Sequence, residues 1–181
     1  MKATGIVRRI DDLGRVVIPK EIRRTMRIRE GDPLEIYTDK DGGVIFKKYS
    51  LMGGLVDFAG QLCETLNRTT GQVTVITDRD SCIAVAGVPR RELAEKAISP
   101  QMERLMEGRQ VYQYKPGEEI IPLCGDSEKY SLSTAAPILS EGDVLGCVVF
   151  AGAGTDRLAG GEVEYKLAQS IAAFLGRHME S

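Results

Sequence analysis

The first fifty residues read as a full set of secondary-structure elements that is too short to hold itself together. Thr4–Ile10 is a β-prone run. Asp11-Asp12-Leu13-Gly14 is a turn, with Gly14 free to take a positive φ, and Arg15–Ile18 is a second strand. Pro19 stops that strand and fits the first position of a short helix over Lys20–Met26. After a turn at Glu30–Pro33, Leu34–Thr38 and Val44–Lys48 pair as a hairpin around residues 39–43. A β-β-α-β-β unit of roughly 50 residues normally needs a metal, disulfides or a partner chain. The chain has one histidine, His178, and four cysteines, Cys63, Cys82, Cys124 and Cys147. All five lie outside this block, and no cysteine pair has C-x-x-C spacing. A second copy of the chain is the solution that remains, and such a dimer can be made with or without exchange of strands.

Residues 51–181 form a second block. Leu55, Phe58, Ala59, Leu62 and Leu66 recur at helical spacing up to Gly71. Strands follow at Gln72–Thr77 and Ser81–Ala86, then helices at Pro89–Ala97 and Pro100–Glu107, the latter capped by Ser99. Gln110–Lys115 and Glu118–Leu123 flank a Pro116-Gly117 turn, and Tyr130–Leu139 and Val144–Ala151 are longer strands. A closing helix over Glu162–Met179 carries Val163, Leu167, Ile171, Phe174 and Leu175 as its apolar stripe. The order α-β-β-α-β-β-β-β-α predicts an α+β sandwich on a mainly antiparallel sheet. The chain is thus expected to hold two domains, residues 1–50 and 51–181, joined at Lys47–Ser50.

Charge divides along the same line. Residues 1–50 carry twelve Lys/Arg against eight Asp/Glu, and the remainder carries twelve against eighteen. Residues 1–29 alone hold nine basic groups and three acidic ones, and seven of the nine are arginine. Arginine is the side chain suited to bidentate contact with phosphate and guanine. A net charge of −2 for the whole chain argues against indiscriminate coating of nucleic acid, not against a local basic face. The composition offers no metal site, no catalytic residue set and no cofactor motif. The uncharged stretch from Val144 to Gly154 is far too short to span a membrane, and residues 1–9 lack the apolar core of a secretory signal. A cytoplasmic, nucleoid-associated location is expected, and with it reduced, buried cysteines.

The string from Gly5 to Arg24, with Leu13-Gly14-Arg15-Val16-Val17-Ile18-Pro19 at its centre, resembles the AbrB family of bacterial transition-state regulators. The resemblance covers essentially residues 1–49 and implies a swapped-hairpin dimer that binds double-stranded DNA. It places Arg8, Arg15, Arg23 and Arg24 on the family's DNA-contacting arginines, with Lys2 and Arg9 as further candidates. The whole chain resembles sporulation regulators that join such a domain to a C-terminal GAF domain. The element order of residues 51–181 is compatible with that fold. GAF domains in general bind small molecules, so an unidentified effector is implied, with Tyr112 and Tyr114 as weak candidates to line its pocket.

These implications agree with the physics of the residues. Arg8 and Arg15 flank one turn, and Arg23 and Arg24 lie on the helix that follows. A two-fold dimer would present eight guanidinium groups, some fixing register on phosphates and some reading bases or DNA shape. Asp11 and Asp12 would oppose phosphates unless they pair with Arg9 or Lys20. The helices around 55–67 and 162–179 offer a second association surface, and two independent interfaces would give a homotetramer. Two other functions are open at this level: an AbrB-type antitoxin, and a GAF-type thiol enzyme that reduces methionine sulfoxide.

Overall fold

Pro19, with its φ of −58°, hands an extended segment directly into the helix α1 (Lys20–Thr25). It stands one residue before the helix rather than at its first position. In the computed structural model, which describes residues 4–154, 158 and 160–180, α1 is followed by β1 (Leu34–Thr38) and β2 (Val44–Lys48). These two strands pair antiparallel, from Leu34 opposite Lys48 to Thr38 opposite Val44. Residues 4–10 and 15–18 are extended backbone around a turn and find no strand partner among the described residues of one chain. An isolated two-stranded ribbon is marginal without a third strand or a packed face. Val7, Ile10, Leu13 and Val17 are each at least 70% exposed.

The chain divides into two compact units, Met1–Tyr49 and Ser50–Ser181. The second begins with a short 3-10 turn at Gly53–Leu55 and α2 (Val56–Thr70). Then come β3 (Val73–Asp78), β4 (Cys82–Ala86), α3 (Arg90–Leu93), α4 (Pro100–Glu107), β5 (Tyr112–Gln113) and β6 (Pro122–Cys124). The unit closes with β7 (Ser127–Ser140), β8 (Asp143–Gly152) and α5 (Glu162–His178). The sheet order is β4-β3-β8-β7-β5, with β6 also on β7, and every pairing is antiparallel.

Both faces of this sheet are covered. On one side α2 and α5 pack Ala59, Cys63, Leu66, Ala168, Ala172 and Leu175 against Ile76, Ile138, Val148 and Phe150. On the other, Leu93, Ile98, Met102, Met106 and Leu123 pack against Val75, Leu132, Ala135 and Val149. Sheets buried on both faces need continuous apolar runs instead of alternation. That is why Leu145–Gly152 is buried at every position.

Two helices differ from the sequence pattern. Pro89–Ala97 is helical only over the four residues of α3. Glu95 takes a φ of 64°, and the segment then turns back so that the Cys82 N–H donates to the Lys96 carbonyl at 3.0 Å. On α5, Val163 and Phe174 are 62% and 49% exposed. The buried inner face is made by Ala168, Ala172, Leu175 and Gly176. A Cβ at Gly176 would stand 2.0 Å from the Leu139 carbonyl oxygen, so the helix lies closer to β7 than any larger residue permits.

Candidate nucleic-acid interface

The turn at residues 11–14 is built by one carboxylate. Asp11 Oδ1 accepts the backbone N–H of Leu13 at 3.0 Å and of Arg15 at 2.7 Å. Its own N–H donates to the Arg15 carbonyl, and Gly14, at φ 76°, donates to the Asp11 carbonyl, each at 3.0 Å. The other oxygen, Oδ2, accepts Arg15 Nε at 2.8 Å. Arg15's backbone and side-chain donors, with the Leu13 N–H, hold the Asp11 carboxyl below the ordinary carboxylate range. Asp11 therefore pairs with Arg15, not with Arg9 or Lys20. The Arg15 side chain is 69% exposed even so: its Nε is engaged while its outer fork faces solvent.

Arg8 and Arg9 are exposed on the segment entering this turn. Arg23 and Arg24 are exposed in the last turn of α1, where positive charge meets the helix C-terminus favourably. Being adjacent on a helix, they point about 100° apart and serve different surfaces. Arg8, Arg23 and Arg24 make no ion pair among the described residues. Lys2 lies outside the described residues.

Other cations of the basic run are used within the fold. The Asp32 carboxylate, 5% exposed, accepts the Arg29 N–H at 2.8 Å and lies 3.7 Å from Lys48 Nζ. Lys48 also donates to the Arg27 carbonyl at 2.7 Å. Asp32 thus ties the end of the helical segment to β2 and neutralises charge that a count assigns to the surface. Neither Asp11 nor Asp32 stands out by composition. The signal for Asp11 was its spacing, three residues before Gly14 and four before Arg15.

In the second unit Tyr112 lies at the margin of the core beneath α3 and α4, and its hydroxyl is buried without a hydrogen-bond partner. Tyr114 is half-buried, and its N–H donates to the Ser133 carbonyl at 2.8 Å. A groove of about 380 Å³ lies between α5 and β7, and one of about 260 Å³ between α2 and β4. Neither groove includes Tyr112 or Tyr114. Met102 and Met106 are core residues. No group of three or more metal-ligating side chains occurs among the described residues, and no described helix is long and apolar enough to cross a membrane.

A small β unit with an arginine-bearing turn and helix, followed by an α/β/α sandwich, is the architecture of a transcription factor that joins an AbrB-like domain to a second, larger domain. The chain belongs to the stage V sporulation protein T family. Residues 54–180 match the family described as "Stage V sporulation protein T C-terminal, transcription factor". Residues 7–51 match "Antidote-toxin recognition MazE, bacterial antitoxin". The chain is 48% identical to Stage V sporulation protein T of Bacillus subtilis (strain 168) over 180 residues, 99% of each chain. Its first unit is 65% identical over 49 residues to Transition state regulatory protein AbrB of the same organism, which is 27% of this chain and 50% of that one. Among solved structures, the type II free methionine-R-sulfoxide reductase from Thermoplasma acidophilum superposes with a TM-score of 0.51 at 12% identity. That likeness covers 69% of this chain and 94% of the other and is one of fold alone.

Proposed function

We propose that residues 1–50 bind double-stranded DNA as a strand-exchanged dimer, using Arg8, Arg15, Arg23 and Arg24 of both copies, with Arg9 and Lys2 adding charge. The observation that carries this reading is the Arg15 guanidinium, fixed at Nε by Asp11 and open at its outer fork. A fixed fork loses little side-chain freedom on meeting a phosphate or a guanine edge. The exposed apolar side chains of Val7, Ile10, Leu13 and Val17 support the dimer, since a second copy can offer strands and cover for them. Residues 51–181 then act as an assembly or small-molecule-sensing unit. Its outward aromatic cluster, in which Phe174 lies 6.1 Å from Phe58 and 6.2 Å from His178 between ring centroids, supports a helix-to-helix tetramer. The reading makes the chain a cytoplasmic regulator of sporulation genes and not an enzyme.

The match of residues 7–51 to an antitoxin family favours a second reading, in which this unit also engages a toxin. The test is operator affinity measured against salt. Eight phosphate contacts give a slope of log K against log salt near about −7. Alanine at Arg15 or Arg23 should lower operator affinity about tenfold or more while leaving the fold intact. Full operator affinity in a variant with alanine at all four arginines overturns the DNA assignment and leaves the antitoxin reading in place.

A further inference from the structure

The four cysteines are all buried, yet they are not alike. Cys63 and Cys147 sit in the core, and burial pushes both thiols up, Cys63 to about 12. Cys82 and Cys124 meet. Their sulfurs are 4.0 Å apart across 42 positions of sequence. Cys82 opens β4 and Cys124 ends β6, so the pair spans two strands that do not pair with each other. Both backbones are stitched to one intervening segment. The Cys82 carbonyl accepts the Glu95 N–H at 2.8 Å, the Cys82 N–H donates to the Lys96 carbonyl, and Ile98 bridges to Cys124.

We propose that Cys82 and Cys124 form an oxidisable dithiol site, which hydrogen peroxide closes to an intramolecular disulfide. A disulfide needs its sulfurs about 2 Å closer than they stand. The end of β6 is the place that can supply that movement. Its pairing with β7 is irregular between Pro122 and Cys124, and the next two residues, Gly125 and Asp126, are exposed. The same turn brings solvent, and so a small oxidant, next to Cys124.

The two sulfurs also divide the labour. The hydrogen bond between the two sulfurs holds the Cys124 thiol below the ordinary cysteine value, against burial and the Asp126 carboxylate, which is itself paired with Lys96 at 3.2 Å. That hydrogen bond and burial push Cys82 up. Cys124, which adjoins the exposed Gly125 and Asp126, is the sulfur an oxidant reaches, and as the thiolate it attacks first. Its sulfur takes one peroxide oxygen as the O–O bond breaks, giving Cys124 sulfenic acid and hydroxide, which leaves as water after taking a proton. The Cys82 sulfur then displaces the sulfenic hydroxyl, forming the S–S bond and, with the thiol proton, a second water. Two thiols lose two electrons and two protons, and one peroxide becomes two waters. The closed bond would tie β4 to β6 across the layer that holds α3 and α4.

The test uses the full chain, reduced and then treated with hydrogen peroxide. The proposal expects a mass loss of about 2 Da, two alkylatable thiols in place of four after denaturation, and one cross-linked peptide joining Cys82 to Cys124. Dithiothreitol should restore the starting state. The unfolding midpoint of the oxidised form should rise by about 10 °C, as expected for closing a loop of this length in a domain of this size. Cys82→Ala and Cys124→Ala should each abolish the cross-link, and Cys63→Ala should keep it. Should a variant fail to fold, the peptide map of the unmodified chain decides alone. Four thiols still alkylatable, a sulfinic acid on Cys124 beside an alkylatable Cys82, or a bridge between other cysteines would each overturn the proposal.

Discussion

The Asp11 carboxylate bonds the Arg15 backbone N–H with one oxygen and the Arg15 side-chain Nε with the other, at 2.7 and 2.8 Å. One acidic residue thus shapes the turn and aims its arginine. Simple charge counting makes Asp11 a hindrance to binding a polyanion. The geometry makes it a help, and the two views predict opposite signs.

Asp11→Asn is therefore expected to lower operator affinity by less than tenfold, a smaller loss than removing Arg15 itself, while raising affinity for unrelated DNA. Fluorescence anisotropy on both DNAs checks this, and a gain on the operator would contradict the positioning role. The carboxyl is held low in the folded chain, so the turn is fully held above the ordinary Asp value and released as pH falls through the depressed one. Operator binding by the turn should accordingly stay flat from pH 8 to about 5.

A second expectation concerns assembly. Phe174 is 49% exposed on the outer face of α5. Phe174→Lys should convert a tetramer to a dimer, with little change in the unfolding midpoint of the isolated units. Light scattering with sedimentation reads the mass. A tetramer that survives the substitution would move the second interface elsewhere, and a monomer in the unmodified chain would remove both interfaces.

Gly176→Ala tests the close seat of α5. The added methyl meets the Leu139 carbonyl oxygen, so helix and strand must separate. Overpacking of this kind costs about 1–3 kcal/mol, readable by chemical denaturation of the full chain. Alanine is the better helix former, so a gain in stability would show that the approach is looser than described.

The last expectation concerns α3. Glu92 Oε2 accepts the Tyr130 hydroxyl at 2.7 Å and the Lys129 ammonium, joining α3 to β7. Lys129 and then Tyr130 hold this carboxyl below its ordinary value. The contribution is present above the ordinary glutamate range and is lost as pH falls through the depressed value. Glu92→Gln should lower the unfolding midpoint by about 1–3 °C at neutral pH. The difference from the unmodified chain should vanish in acid. A difference that persists at pH 2 would assign the effect to packing.

The sequence was most readable where one local rule acted alone. The spacing of Ala59, Leu62 and Leu66 located α2. Ser99, whose Oγ accepts the Met102 N–H at 3.0 Å, marked the start of α4. The four arginines are grouped only by the resemblance that covers residues 1–49, and their role in binding DNA is the proposal made above. What was not legible depended on long-range partners. Residues 94–97 read as the end of a helix, but Glu95 and Lys96 bond to the Cys82 backbone and Ala97 bridges to Ser81. Residues 4–18 have strand composition, yet among the described residues of one chain no segment completes a ladder with them. Asp32, buried between Arg29 and Lys48, looks like any turn aspartate until the fold brings residues 29 and 48 together.

The inner face of α5 combines the small side chains Ala168, Ala172 and Gly176 with the fully buried Leu175, while Val163 and Phe174 point outward. Core and outer surface are therefore written on separate positions of one helix. Substitutions at Val163 or Phe174 leave the packing of Ala168, Ala172 and Gly176 untouched. The outer stripe can therefore be rewritten to suit one set of neighbours or another without disturbing the seat of the helix on the sheet.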